Sequence, residues 1–273
     1  MVFASPMFLF LFFPIVWLGY FIINEKLRNL WLCIASSAFY AWGGLSYAIL
    51  IFFSTIINYI LGLMIGEKNE SRRKFQRKTF LVIDIMFNIG ILGFFKYFNF
   101  ITDNIISVIQ LFSPNFELAN PLIPLPIGIS FFTFQIMSYV IDVYRGNVKP
   151  QQSLINLALY IMLFPQLIAG PIVRYIDIEK QIQYRNINLL KCRAGLERFI
   201  IGLGKKVIVA NTMGSVADYA FSNPTLLNTP IAWLGIICYS LQIYYDFSAY
   251  SDMAIGLGKI FGFDFLENFN YPY

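Results

Sequence analysis

The stretch Leu241–Tyr273, LQIYYDFSAYSDMAIGLGKIFGFDFLENFNYPY, decides how the rest of this sequence is interpreted. It begins inside an apolar run, yet positions 246–252 are rich in carboxylates and hydroxyls, namely Asp246, Ser248, Tyr250, Ser251 and Asp252. An ionised side chain at the depth of a membrane costs roughly 2.5–3.5 kcal/mol even on mild insertion scales. These side chains must therefore face either protein or water.

On a helix, the polar residues of this stretch occupy two adjacent faces. One face contains Ser248, Ser251 and Asp252, and the next contains Tyr239, Gln242, Asp246, Tyr250 and Met253. Two interpretations are open: a buried hydrogen-bonded network that only holds helices together, or the wall of a polar cavity that water reaches. We favour the cavity wall, with Gln242, Asp246, Ser248, Tyr250, Ser251 and Asp252 as candidate lining residues.

The composition is that of an integral membrane protein. Of the 273 residues, 58% are hydrophobic and 13% are charged, and several apolar runs approach the roughly 18–20 residues that cross a bilayer. The net charge of +5 comes from basic clusters between apolar runs, which orient membrane proteins and do not indicate nucleic-acid binding. With no histidine and three widely spaced cysteines, Cys33, Cys192 and Cys238, the sequence predicts no metal site, cofactor or disulfide framework.

Seven transmembrane helices are predicted from the apolar runs. They are Met7–Ile23, Leu30–Trp42, Leu45–Ile65, Thr79–Phe100, Ile127–Arg145, Phe199–Phe221 and Ile231–Tyr245. The positive-inside rule places the most basic loop, Gly66–Lys78, in the cytoplasm, which puts the N-terminus outside the cell membrane. Near the inner surface, Asp142 and Arg145 are predicted to pair because they are three residues apart.

The segment Leu154–Tyr175 does not fit this alternation. If it crossed the membrane, the basic segment that follows would lie outside. Its interior contains the residues Pro165, Gln166, Gly170 and Pro171, which interrupt a helix. Non-helical backbone is tolerated at membrane depth only where protein or water surrounds it. We therefore predict a re-entrant segment that returns to the cytoplasmic side, followed by a partly interfacial helix, with Gln166 and Gly170 as candidate ligand-binding residues.

These features predict one all-α membrane domain over residues 1–273, with about seven spans, re-entrant and interfacial helices, and a polar cavity. Three polar stretches are expected to converge on that cavity, one of which contains Gln135 in the span Ile127–Arg145. Such a cavity suits a reaction that joins a cytoplasmic reactant to an external one. It suits a non-catalytic transporter or flippase equally well, and a membrane scaffold is a third alternative.

Three motifs of the chain resemble the membrane-bound O-acyltransferase (MBOAT) family. They are PLPIGISFFTFQIMSYVIDVYRG at Pro124–Gly146, LFPQLIAGPIVRY at Leu163–Tyr175, and YYDFSAYSDMAIGLGKIFGFDFLENFNYPY at Tyr244–Tyr273. The resemblance is to the bacterial AlgI/DltB type. The second motif is closer to the AlgI side, which O-acetylates polysaccharides such as alginate, than to the DltB side, which D-alanylates teichoic acids.

The resemblance implies a ring of helices, thin at its centre, where a cytoplasmic acyl donor meets an acceptor from the far side. The implied donor is acetyl-CoA or an acyl-carrier protein, and the implied acceptor is a hydroxyl of an extracytoplasmic cell-surface polysaccharide. An extracytoplasmic acetyltransferase is a further candidate partner. The polar residues of the signature are expected to line or support the channel and to perform no catalytic step.

The resemblance also implies a histidine as general base, and this chain contains none. We expect the family's histidines to follow the signature in the sequence. On that basis the 273 residues are expected to be the N-terminal part of an acetyltransferase, with no catalytic residue of their own and no activity alone.

Overall fold

The computed structural model describes residues 2–66, 73–113, 122–167, 170–171, 173–222 and 227–269. Within these ranges the chain forms helices and turns and contains no β-strand. The helices are α1 (Phe8–Ile22), α2 (Arg28–Ala41), α3 (Leu45–Gly66), α4 (Arg73–Phe112), α5 (Ile129–Arg145), α6 (Leu154–Met162), α7 (Phe164–Leu167), α8 (Tyr175–Gln183), α9 (Leu189–Gly204), α10 (Asn211–Ser222) and α11 (Thr229–Ile260). Part of the predicted loop Gly66–Lys78 and the end of the signature at Tyr273 lie outside the described residues.

Each of the seven predicted spans coincides with helix. Among the described residues, three helices are long and apolar enough to cross a membrane: Leu45–Gly66, Phe75–Phe112 and Leu189–Ser222. The last of these joins α9 to α10 through a π-helical turn at Lys205–Ala210. Two of the predicted spans end too early in the sequence. Helix α4 continues beyond Phe100, and α11 continues beyond Tyr245 through the polar signature. The protein is therefore an all-α integral membrane protein, as predicted.

Hydrogen bonds connect the ends of neighbouring helices and show that these ends lie on two opposite sides of the helix bundle. We call these two sides levels. Arg77 donates from Nε to the Ile65 carbonyl at 2.6 Å and from Nη2 to the Tyr144 carbonyl at 3.0 Å, which joins the start of α4 to the ends of α3 and α5. At the opposite level, the Tyr40 hydroxyl donates to the Ile127 carbonyl at 2.6 Å. The first level carries the basic helix ends, which is the level that the positive-inside rule assigns to the cytoplasm.

The segment predicted to be re-entrant is interrupted where its prolines predicted a break. Helix α6 ends at Met162, and α7 is a single buried turn that begins at Phe164. Pro165 cannot donate a backbone hydrogen bond. The amide of Phe164, which the break leaves without an intrahelical partner, donates to Ser36 Oγ at 3.1 Å. The freed backbone is thus satisfied by another helix, as a buried helix break requires.

The same segment returns to the level at which it enters. The Asn29 amide donates to Asn156 Oδ1 at 2.8 Å, near the start of α6, and to the Ile182 carbonyl at 2.9 Å, near the end of α8. One side chain at the start of α2 therefore contacts both the entry and the exit. This geometry agrees with the predicted dip and return, and it places the basic segment after α8 beside the Lys26–Arg28 turn.

Glycines bring α9 and α11 into close contact. A Cβ added at Gly195 would lie 2.6 Å from the Gly256 carbonyl oxygen, and one added at Gly202 would lie 2.8 Å from the Ala249 carbonyl oxygen. Small residues at helix interfaces allow membrane helices to pack backbone against backbone. Direct contact between the two backbones therefore fixes how α9 packs against α11 and leaves no room for a side chain at either glycine.

The end of α11 is fixed by a glycine turn and by contacts to three other elements. Gly262 has a φ of +90°, and the amide of Phe263 donates to the Gly258 carbonyl at 2.8 Å. The Tyr20 hydroxyl of α1 donates to the Phe261 carbonyl at 3.0 Å. Asp264 accepts from Lys191 of α9, and its amide donates to a side chain of α8.

We predict that Gly195→Ala lowers the thermal stability of the detergent-solubilised protein, by about 1–3 kcal/mol of unfolding free energy, because the new methyl group forces α9 away from α11. Gly204→Ala is the matched control, since a Cβ at Gly204 meets no atom within 4 Å and alanine favours a helix. Size-exclusion chromatography after heating measures both. Equal melting temperatures for the two variants would contradict this packing.

Candidate functional site

Two carboxylates of α11 pair with three cations of α9 and of the π-helical turn that follows it. Asp252 Oδ1 accepts from Arg198 Nη2 at 2.8 Å, and its Oδ2 accepts from Lys205 Nζ at 2.6 Å. Asp246 Oδ2 accepts from Lys206 Nζ at 2.7 Å. We call these five residues the ion-pair seam. It lets a helix that carries two carboxylates pack inside a membrane protein, because each carboxylate has an opposite charge beside it.

The position of the seam follows from the sequence of α9. Arg198 and Lys205 each come three residues after a glycine of the close contact, Gly195 and Gly202, so all four share one helix face. In an α-helix, consecutive residues point about 100° apart. The wider π-helical turn that begins at Lys205 reduces this angle and helps Lys206, the next residue, to face α11 as well. Single π turns occur frequently at functional sites.

The seam continues into the segment after α11. Arg198 donates from both terminal nitrogens to the carboxylate of Glu267, so its guanidinium lies between Glu267 and Asp252. Hydrogen bonding from Arg198 lowers the pKa of Glu267 below its ordinary value. The signature is therefore tied to α9 at two points along its length.

A cavity of about 350 Å³ lies beside the Lys206–Asp246 pair. Tyr250, Met253 and the N-terminal Phe3 also line it, and the Phe3 ring is stacked on the Tyr250 ring at a centroid distance of 4.5 Å. One of the residues that line it, Tyr250, carries a buried hydroxyl with no hydrogen-bond partner among the described residues. Elsewhere on α11, Ser251 Oγ and Gln242 Oε1 are also buried without a partner in the described part of the chain.

The structure divides the predicted lining residues of α11 into three groups. Asp246 and Tyr250 line the cavity. Ser248, Ser251 and Asp252 are buried at 4%, 2% and 8% exposure, and Asp252 belongs to the seam. Gln242 packs against α10, because a Cβ at Gly214 would lie 2.7 Å from its side-chain nitrogen.

The remaining predicted site residues form a second polar cluster around Tyr160. Gln135 and Gln166 both donate through Nε2 to the Tyr160 carbonyl, at 3.0 and 2.5 Å. Gly170 packs on this turn, since a Cβ there would come within 2.5 Å of the Gln166 Cα. Hydrogen bonds therefore join two of the three polar stretches that were expected to converge. The third reaches them through α7, which packs against α11.

Asp142 pairs with a residue other than the one that local spacing predicted. Both of its carboxylate oxygens accept from Arg174 Nη2 at 2.8 Å, and Asn147 donates to Oδ1 at 3.0 Å. The predicted pair with Arg145 was wrong, because Arg174 lies just before α8 and the return of the re-entrant segment brings it to the end of α5.

Sequence reasoning missed four cations of these clusters: Arg174, Arg198, Lys205 and Lys206. A signal for two of them was present, since the predicted span Phe199–Phe221 carries Lys205 and Lys206 and the next polar stretch carries Asp246 and Asp252. Two neighbouring spans with opposite charges near their middles favour mutual pairing. In the described part of the chain, no group of three His, Cys, Asp or Glu side chains is arranged to hold a metal ion, and the three cysteines are free thiols.

Comparison with known proteins gives a consistent result. The model of the family described as "MBOAT, membrane-bound O-acyltransferase family" matches residues 68–272. The chain is 46% identical to "Probable alginate O-acetylase AlgI" of Pseudomonas aeruginosa and 35% identical to "Peptidoglycan O-acetyltransferase" of Helicobacter pylori. These matches cover all of this chain, but 52% and 56% of those proteins. "Teichoic acid D-alanyltransferase" of Bacillus subtilis is 28% identical over 54% of this chain and 38% of that protein. The chain spans about half the length of the curated relatives it matches.

We predict that Asp252→Asn lowers the unfolding free energy by about 3–5 kcal/mol, because it leaves two cations of α9 and the π-helical turn facing a neutral amide. Glu197→Gln is the matched control. It also removes the carboxylate partner of an α9 arginine, Arg193, but this pair is exposed and the change is expected to be below about 1 kcal/mol. Melting curves in detergent compare the two, and similar losses would show that the seam contributes no more than a surface pair.

Proposed function

The chain belongs to the membrane-bound O-acyltransferase family, and from that premise we propose that it takes part in acetyl transfer across the cell membrane. The donor is a cytoplasmic thioester, acetyl-CoA or acetylated acyl-carrier protein, and the acceptor is a hydroxyl of an extracytoplasmic polysaccharide. The names of the relatives support this choice. Two relatives that match the whole chain are named for O-acetylation of alginate and of peptidoglycan, whereas the D-alanyltransferase matches a smaller part at lower identity.

The proposal rests above all on a polar atom of α11 that has no partner. A buried polar atom without a hydrogen bond costs about 1–3 kcal/mol. Tyr250 Oη lacks a partner among the described residues, although Tyr250 lines the cavity beside the Lys206–Asp246 pair. A hydroxyl group of a substrate in the cavity would supply the missing partner. We therefore propose this cavity as the place where the acceptor or the acyl group is held.

The chemistry assigns separate tasks to different parts of the enzyme. The acceptor oxygen attacks the thioester carbonyl, the carbon–sulfur bond breaks, and the hydroxyl proton passes to a base while the thiol leaves. Negative charge develops on the carbonyl oxygen and requires hydrogen-bond donors. Our proposal gives the residues of α11 the task of holding and orienting substrate. It gives them no proton transfer, because the resemblance implies a histidine as general base and this chain contains none.

The orientation of the chain follows from its charge distribution. The basic helix ends that Arg77 and Asn29 mark lie on one level, and we propose that this level faces the cytoplasm, where the donor is available. The N-terminus is then on the other side of the first span, and the polysaccharide reaches the cavity from outside. An extracytoplasmic acetyltransferase that passes the acetyl group on to the polymer is a further proposed partner.

A chimera tests this function. The segment of the P. aeruginosa relative that matches this chain is replaced by this chain, and the chimera is expressed in cells that lack the relative. We expect the ester content of the secreted polysaccharide, measured with hydroxylamine, to be restored at least in part. The 273-residue chain expressed alone is expected to restore none.

The same cells test the cavity. Lys206→Met in the chimera is expected to lower the ester content by tenfold or more, because Asp246 then lacks its partner and the cavity loses its cation. Arg193→Met, which removes an exposed cation of α9, is the control and should leave the ester content unchanged. A chimera that is stable and inserted but gives no ester would argue against the acetyl-transfer function of this chain. An equal effect of the two variants would argue against the proposed cavity.

A further inference from the structure

A second and more polar cavity, of about 480 Å³, opens at the level that carries the basic helix ends. It lies between the turn that joins α1 to α2 and the segment that joins α8 to α9. Its charged lining residues are Glu25, Lys26, Arg28 and Arg185, so cations outnumber carboxylates by three to one. The proposed function does not use this cavity, and it is separate from the residues of the ion-pair seam.

Arg185 lies in the wall of this cavity, held by neutral groups, and has no carboxylate partner in the described residues. Its Nη2 donates to Asn29 Oδ1 at 2.6 Å, and its Nη1 donates to the Gln181 carbonyl at 3.1 Å. Its guanidinium also lies over the Phe263 ring, at 4.4 Å from the centroid. A guanidinium fixed by neutral groups keeps its full charge available to an anion.

The two cations on the facing turn are also only partly compensated. Arg28 contacts Glu25 at 3.1 Å, but the Glu25 side chain is 83% exposed, which weakens the pair. The Arg28 Nε is buried without a hydrogen-bond partner in the described part of the chain. The ammonium of Lys26 contacts no carboxylate among the described residues. Tyr20 connects the two arginines, because Arg28 lies over its ring at 5.2 Å and Arg185 donates to its hydroxyl.

We propose that this cavity binds a phosphoryl group, and in particular a diphosphate. Arginine guanidinium groups match the geometry of phosphate oxygens and bind them with charge-assisted hydrogen bonds. The volume of the cavity is within the range of small-molecule sites, roughly 300–1,000 Å³. Two sources supply such a group at this level: the diphosphate of a coenzyme A thioester, or the headgroup of an anionic lipid. The identification with coenzyme A rests on the proposed function; the phosphoryl site itself does not.

Binding to the purified 273-residue chain in an uncharged detergent tests the site. Calorimetry is performed with coenzyme A without an acyl group, and with inorganic pyrophosphate. Bilayer discs containing phosphatidylglycerol are compared with phosphatidylcholine discs by melting temperature. We expect saturable binding of coenzyme A and of pyrophosphate that weakens as salt increases. Lys26→Glu is expected to weaken this binding about tenfold, as the loss of one charge-assisted contact predicts.

Lys180→Glu is the matched control, because Lys180 is an exposed lysine of α8 that does not line the cavity. It should leave binding unchanged, although it changes the net charge equally. Arg185→Gln is a second variant, used with a melting curve because Arg185 also holds neighbouring groups. If phosphatidylglycerol stabilises the protein through Lys26 and coenzyme A does not bind, the phosphoryl site stands and its source is lipid.

The inference is overturned if none of the three probes binds, or if Lys26→Glu and Lys180→Glu have equal effects. None of these measurements requires acetyl transfer. Binding of coenzyme A or pyrophosphate by a chain whose chimera forms no ester would separate the failure of the proposed function from this inference.

Discussion

The close approach of α9 and α11 is the constraint on which the rest of this structure depends. Gly195 and Gly256 leave no room for a Cβ between the two backbones. At that separation Arg198 and Lys205 reach Asp252, and Lys206 reaches Asp246. Each of these charges would cost several kcal/mol if it were left unpaired inside a membrane protein. The backbone contact and the charge pairing therefore require each other, since a wider spacing would separate both carboxylates of α11 from the three cations that face them.

The helices could be predicted from the sequence, but some of their limits could not. Apolar runs of sufficient length identify spans such as Leu45–Gly66 because burial in lipid is decided by local composition. The same criterion ended the last span at Tyr245, where polar residues begin, although α11 continues to Ile260. Whether a polar stretch stays helical inside the protein depends on the partners that other helices supply. Those partners are not visible in a hydropathy pattern.

The candidate site was predictable in its residues and less so in its contacts. The signature identified Asp246 and Tyr250, which line a cavity, because polar groups in an apolar chain require an explanation. The prediction for Asp142 failed because it considered only neighbours along the helix. Its partner, Arg174, is brought in by the return of the re-entrant segment. The prolines of that segment predicted the break, and the basic residues after it predicted the return, but neither fixes which side chains meet.

The distance between the two cavities along α11 limits how short a donor that occupies both of them can be. Asp246 lines the smaller cavity near the middle of α11, and the carbonyl of Phe261, just after its end, accepts from Tyr20, which lines the larger one. At 1.5 Å per residue, these positions are roughly 22 Å apart along the helix. A compact donor such as acetyl phosphate would not occupy both cavities at once. A thioester at the end of a long flexible arm would, with its phosphates held among the cations at the helix ends and its acyl group beside the ion-pair seam. If one donor occupies both proposed sites, the separation requires a carrier-bound acyl group and excludes a small activated acid.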